Sequence, residues 1–223
     1  MANILCIETS TTNCSVALAK DGQLITIQED DKKEYSHAEQ LHLFIEKVVK
    51  ASDLKMTDLD AIAISKGPGS YTGLRIGVST AKGLCYALDI PLISISTLKV
   101  LAKQVVQQSS QHPIIPMIDA RRMEVYTAVF NSKQEEISAV EAKILEPDSF
   151  QSYFDSYDKI YFIGNGVSKF KDMCVNVNQG IFIEHKNPSA RQMCELADGL
   201  FRSKTFEDVA YFEPFYLKDF VGG

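Results

Sequence analysis

The sequence lacks any pair of cysteines spaced CxxC. Its five cysteines, at 6, 14, 85, 174 and 194, stand apart, and several lie within apolar strand or helix patterns. Scattered thiols of this kind read as buried and reduced, so neither a disulfide framework nor a thiolate metal cluster is expected. No apolar run approaches the roughly 20 residues that cross a bilayer, so no membrane role is expected. Positive charge is in short supply: 23 Lys and Arg stand against 29 Asp and Glu, a formal net charge of −6. That balance leaves no general basic surface and argues against strong autonomous nucleic-acid binding, although work beside a basic partner survives. The opening "MANILCIETS" has neither a basic leader nor a small-residue cleavage site, and the expected location is the cytoplasm.

What is present is ample apolar content, 45% of 223 residues, enough for one large domain or two small lobes. Asn3 to Ile7, Cys14 to Ala19 and Leu24 to Gln28 are β-rich runs separated by "TSTTN" and "KDGQ", which predicts an antiparallel meander. From Ser36 the apolar period changes to that of a helix running to about Ala51, with Ser36 as N-cap and Glu39 completing a capping box. "LDAIAIS" and "PLISI" read as buried strands on either side of a glycine loop and a long helix. A helix from Ser96 or Thr97 leads to the polar boundary "QSSQH". "PIIPMID", "MEVYTAVF", "ISAVEAKIL", "KIYFIG" and "GIFIE" then read as strands, with helices at Asp148 to Tyr153 and Ala190 to Arg202. The pattern βββαβα occurs twice, so the expected fold is a duplicated α/β architecture, with one lobe over 1–97 and the other over 98–223, the terminal helix and tail being candidates to pack back on the first lobe.

The chemistry-bearing motifs are thin. "SKGPGSYTGLRIG" is not a Walker A loop, because Leu74 follows Gly73 where the lysine would stand. It is not GxGxxG either, because Thr72 occupies the third glycine's place. An anion site at the helix N-terminus built from Ser70, Thr72 and Arg75 stays open beside a plain strand-to-helix turn capped by Thr72. "HAEQLH" is not HExxH, and no GxSxG elbow is present. "DARR", at 119–122, offers Asp119, Arg121 and Arg122 as contacts to a partner or to tRNA phosphate, or as an ion-paired hairpin corner.

Five segments together, "ILCIETSTTNCSVAL", "SHAEQL", "SKGPGSYTGLRIGVSTAKGL", "DARRMEVYTAVF" and "EPFYLK", resemble the bacterial TsaB (YeaZ) family of the tRNA threonylcarbamoyladenosine pathway, over residue 4 to about 218. The resemblance implies an actin-like, Hsp70-like ATPase fold of two lobes. It implies a non-catalytic scaffold that supports a TsaD-like catalytic subunit with a TsaE-like ATPase, pairs with itself when alone, and meets tRNA indirectly through the complex. It implies no cofactor of the chain's own, with ATP or ADP a candidate at the complex interface.

Nucleotide-binding actin-like proteins carry an acidic residue and glycines after the first strand; here Glu8 is followed by Thr9, Ser10, Thr11 and Thr12, with no glycine. Glu8, and Gly164 and Gly166 of "GNGV", are the remaining candidates for nucleotide contact, each with a purely structural alternative. TsaD-like relatives hold metal with HxxxH, whereas His37 and His42 are five apart, about 140° around a helix, so no metal is expected. On the helix after the glycine loop, Leu74, Val78, Ala81, Cys85 and Leu88 form a core stripe, and Arg75, Ser79, Lys82 and Tyr86 a polar one. The third face, Ile76, Thr80, Gly83 and Ala87, joined by Leu43 of the preceding helix, is the expected partner interface, the alternative being that a helix of the same lobe, such as 37–51, covers it. The competing class of function is an autonomous actin-fold ATPase or M22-like peptidase using Glu8, the glycine loop and "GNGV".

Overall fold

The computed structural model describes residues 1–31, 37–105 and 111–218. It divides into two compact units: Met1–Val100 together with the segment from Pro188 onward, and Leu101–Asn187. The expected N-cap Ser36 and most of the "QSSQH" boundary lie outside the described residues.

In the first unit β1 (Asn3–Glu8), β2 (Cys14–Lys20) and β3 (Gln23–Asp30) form the antiparallel meander, turned at Asp21 and Gly22, which both have positive φ. Helix α1 (His37–Lys50) follows, then β4 (Ala61–Gly67), α2 (Tyr71–Leu88), β5 (Leu92–Ser96) and α3 (Thr97–Ala102). Both β1–β4 and β4–β5 pair in parallel, which the helical crossovers require, and the strand order is β3-β2-β1-β4-β5. Successive side chains point to opposite faces of a strand, and the two faces here differ in size. Leu5, Ile7, Val16, Leu18, Ile62 and Ile64 meet Leu41, Phe44, Val48, Val78 and Cys85 from α1 and α2. On the reverse, Ala17, Ala19, Ala61 and Ala63 leave room for a helix to approach closely, and α6 (Ala190–Arg202) fills it with Ala190, Met193, Cys194 and Ala197. Burial of both faces explains why these strands read as continuous apolar runs.

The second unit repeats the plan with β6 (Ile114–Asp119), β7 (Glu124–Thr127), β8 (Glu141–Ile144), α4 (Gln151–Ser156), β9 (Ile160–Gly164), α5 (Val167–Lys171) and β10 (Gly180–Glu184). Its sheet order, β8-β7-β6-β9-β10, matches the first sheet strand for strand, antiparallel pairs and parallel pairs alike. The duplicated α/β architecture expected from the sequence is present. Its core is aromatic: Phe162 is fully buried, stacked on Phe182 at 5.1 Å and in ring contact with Phe150, Phe154 and Phe170.

The second unit ends at Asn187, and the chain from Pro188 belongs to the first, where α6 buries its apolar stripe on the sheet. The helix expected from Asp148 to Tyr153 starts three residues later, since Phe150 sits in the left-handed region (φ 67) and α4 begins only after it. Short α5 was given no bounds from the sequence, because five residues are too few to display a helical period. Among the described residues no helix is long and apolar enough to cross a membrane.

Replacing Phe162 by Ala deletes the ring on which four other aromatics converge. The expected cost is about 3–5 kcal/mol of stability in the second unit, read from hydrogen exchange of β9 and β10 amides.

Candidate functional site

The glycine loop between β4 and α2 was the strongest motif in the sequence, and its partner is the chain itself. Ser70 caps α2: its Oγ accepts from the Gly73 amide at 3.3 Å, and its ψ of 120° keeps it outside the helix. The expected cap, Thr72, instead lies exposed within the first helical turn, because the helix begins one residue earlier at Tyr71. The Ser70 amide, a group that could have faced an anion, donates to the Ser10 carbonyl at 2.6 Å. Thr9 Oγ1 donates to the Gly73 carbonyl at 2.8 Å. A Cβ at Gly69 would collide with the Ser10 carbonyl, and one at Gly73 with the Thr9 carbonyl. The glycines therefore admit the backbone of the 9–12 hairpin, which lies against the start of α2.

The remaining groups of the hairpin are sealed in the same way. His37, the first residue of α1, is buried and its Nε2 donates to the Thr11 carbonyl at 2.7 Å, while burial lowers its pKa. His42 is exposed, so the two histidines face different surroundings. Glu8 is fully buried. Its Oε1 accepts from the Ser10 amide at 2.7 Å and the Ser10 hydroxyl at 2.5 Å, and its Oε2 has no hydrogen-bond partner among the described residues. Burial raises its pKa to about 6, against smaller lowering by the Ser10 hydroxyl and amide and by the neighbouring Ser65 hydroxyl and Thr9 amide.

From its far side the glycine loop is held by the returning C-terminal segment. The Phe215 amide donates to the Lys66 carbonyl at 2.7 Å, and the Glu207 amide to the Leu92 carbonyl at 2.9 Å. Arg75, an anion candidate from the sequence, lies over the Tyr71 ring at 4.2 Å and donates to the Tyr216 hydroxyl at 3.3 Å. Lys82 donates to the carbonyls of Ala210 and Phe212.

On α2 the core stripe is buried as expected, except that Leu88 is half-buried. The third face divides. Ile76 packs against the first unit's core and Thr80 is half-buried, whereas Gly83 has open space beyond it and Ala87 is exposed. On the same helix Tyr86 is 87% exposed, and Leu43 of α1 is 52% exposed. Lys82, Gly83 and Tyr86, with Asp208, Val209 and Ala210, line an open groove of about 450 Å³. Tyr86 was read as part of a polar stripe; the missed signal was a large aromatic one turn from a glycine on an outward face.

In the second unit the corresponding loop is also filled by protein. A Cβ at Gly164 would collide with the Met117 carbonyl, and one at Gly166 would press on Val125. Both glycines are buried. Asp119 pairs with Lys169 at 2.7 Å and accepts from the Arg121 amide at 2.6 Å, and the guanidiniums of Arg121 and Arg122 stay exposed at the β6–β7 corner. Among the described residues no three His, Cys, Asp or Glu converge as a metal site.

A family model described as "TsaD: tRNA N6-adenosine threonylcarbamoyltransferase" matches residues 31–221. The chain is 30% identical over 222 residues to the "tRNA threonylcarbamoyladenosine biosynthesis protein TsaB" of Bacillus subtilis, covering 96% of this chain and 93% of that protein. The chain belongs to the TsaB family. The Escherichia coli TsaB is 29% identical over 225 residues, covering 98% and 95% of the two chains. YeaZ from Pseudomonas aeruginosa superposes with a TM-score of 0.82 at 25% identity, covering 97% of this chain and all of that one.

The buried carboxyl of Glu8 has a measurable signature. Unfolded, it releases its proton near 4.5; folded, near about 6. Between those values the native state binds more protons, so the stability carried by neutral Glu8 is full below about 4.5 and lost as pH rises through about 6. In urea unfolding across this window Glu8→Gln should gain about 2 kcal/mol relative to the unsubstituted chain. Parallel stability curves would remove the assignment.

Proposed function

We propose that this chain is a non-catalytic, cytoplasmic subunit of the machinery that attaches threonylcarbamoyl to tRNA adenosine, and that it works by docking on a TsaD-like catalytic subunit. Membership of the TsaB family supports the pathway. The outward end of α2 carries the docking reading: Gly83 with open space and exposed Ala87 and Tyr86 form a small and apolar surface, and Leu43 on α1 is a further exposed apolar residue. Small residues let a second backbone approach closely, and the aromatic at their edge supplies contact area of the kind that dominates interfaces. In the absence of the catalytic subunit the same face pairs two copies of the chain. A TsaE-like ATPase joins the assembly, and tRNA binds to the assembled complex.

The filled phosphate loops weigh against independent ATP chemistry. The hairpin that would cradle a phosphate gives its carbonyls to Ser70 and His37, and its carboxylate is sealed. Reconstitution of tRNA modification from TsaD-like and TsaE-like subunits with and without this chain tests the role. Equal modification without it overturns the proposal, as does ATP turnover or peptide cleavage by the chain alone that is lost in Glu8→Ala.

The interface has its own test. Gly83→Arg meets open space and replaces a poor helix former by a good one, so the monomer should keep its stability or gain up to about 1 kcal/mol. It should abolish self-association in sedimentation velocity and lose the TsaD-like subunit in pull-down. Ile76→Glu, by contrast, introduces a charge beside the core and should destabilise the fold itself. Unchanged association in folded Gly83→Arg places the interface elsewhere.

A further inference from the structure

The β6–β7 corner holds Arg121 and Arg122 in succession at φ 70 and φ 48. Among the described residues it is the only place where two consecutive residues with side chains both adopt the left-handed backbone. Gly and Asn occupy that region at least cost, and an exposed hairpin corner is where they are ordinarily found. Nothing on the protein side rewards the choice of arginine. Both side chains are exposed, and neither guanidinium makes a hydrogen bond or ion pair among the described residues. Asp119, the carboxylate that opens the turn, is already taken up by Lys169 Nζ at 2.7 Å and by the Arg121 amide at 2.6 Å.

The corner is also braced. The Asp119 amide donates to Asn165 Oδ1 at 2.8 Å, the Ala120 amide to the Glu124 carbonyl at 3.0 Å, and the Gly166 amide to the Met117 carbonyl at 3.0 Å. Two forked cations, free of internal partners, are thus presented from a backbone that stays in place when they are engaged. Arginine's planar fork matches phosphate oxygens in pairs, which a lysine's point charge does not. In a chain of net charge −6, such a pair is a local exception to the surface as a whole.

We infer that Arg121 and Arg122 form a direct phosphodiester contact to tRNA, a clamp on the RNA backbone that adds to whatever the rest of the complex supplies. This rests on the reading that the chain serves tRNA modification, but not on the α2 interface. The corner reads no base, so binding is weak and strongly dependent on salt.

The test is fluorescence anisotropy of labelled, unmodified tRNA titrated with the full chain alone, from about 20 mM salt upward. Arg121→Gln with Arg122→Gln should weaken binding at least tenfold at the lowest salt and reduce the slope of log K against log salt by about 1.5, the loss of two phosphate contacts. A second variant, Arg121→Asn with Arg122→Gly, suits the left-handed backbone and should melt at higher temperature while losing tRNA equally. Competition by a tRNA-length RNA but not by a ten-residue glutamate peptide supports the clamp. Competition by the peptide alone makes the corner a protein contact and overturns it. So do an unchanged salt slope in the folded variants, a lower melting temperature of the Asn–Gly variant, or no tRNA binding at the lowest salt. None of these failures bears on whether modification requires the chain, which reconstitution reads separately.

Discussion

The close approach of α2 to the backbone of the 9–12 hairpin is the contact on which the first unit depends. It places Thr9 and Ser10 carbonyls where side chains at 69 and 73 would otherwise be, and it commits the Ser70 amide, the Thr9 hydroxyl and the His37 ring to the same few residues. Backbone polar groups at a helix start must be satisfied by something. Here the chain satisfies several with itself, so a loop whose glycines suggest phosphate binding serves as a joint. The direction of α2 follows from that joint, and with it the position of Gly83, Tyr86 and Ala87 on the outside.

Much of this architecture was legible in the residues, for reasons of periodicity. β1, β2 and β3 announced themselves by β-rich runs divided by a polar loop and an Asp-Gly turn, and α6 by an apolar stripe so regular that its observed bounds match those read from the sequence. The doubled βββαβα order was visible because each strand is short and bounded. Less legible were features set by long-range contact. Ser70 and Thr72 are equally good caps by chemistry, and only the seating of the helix on the hairpin selects the first. Tyr86 reads as a polar-stripe residue until Asp208, Val209 and Ala210 are found beside it, more than a hundred residues later in the chain.

The candidate residues divide along the same line. Glu8, Gly164 and Gly166 were named because their spacing resembles that of ligand loops, yet spacing cannot reveal that protein atoms already occupy the space. Arg75 carries a charge that sequence reading left available, while the fold gives it to Tyr71 and Tyr216. Arg121 and Arg122 went the other way. Their hairpin corner was readable, but the left-handed backbone that makes arginine an expensive choice there was not.

The return of α6 and the segment after it to the first sheet makes the first unit discontinuous in sequence, while residues 101–187 form the second without interruption. During synthesis every residue of the second unit emerges before the helix that covers the alanine face of β1, β2 and β4 has left the ribosome. The nascent chain thus completes its middle before its beginning, and for that interval the first sheet waits with one apolar side bare.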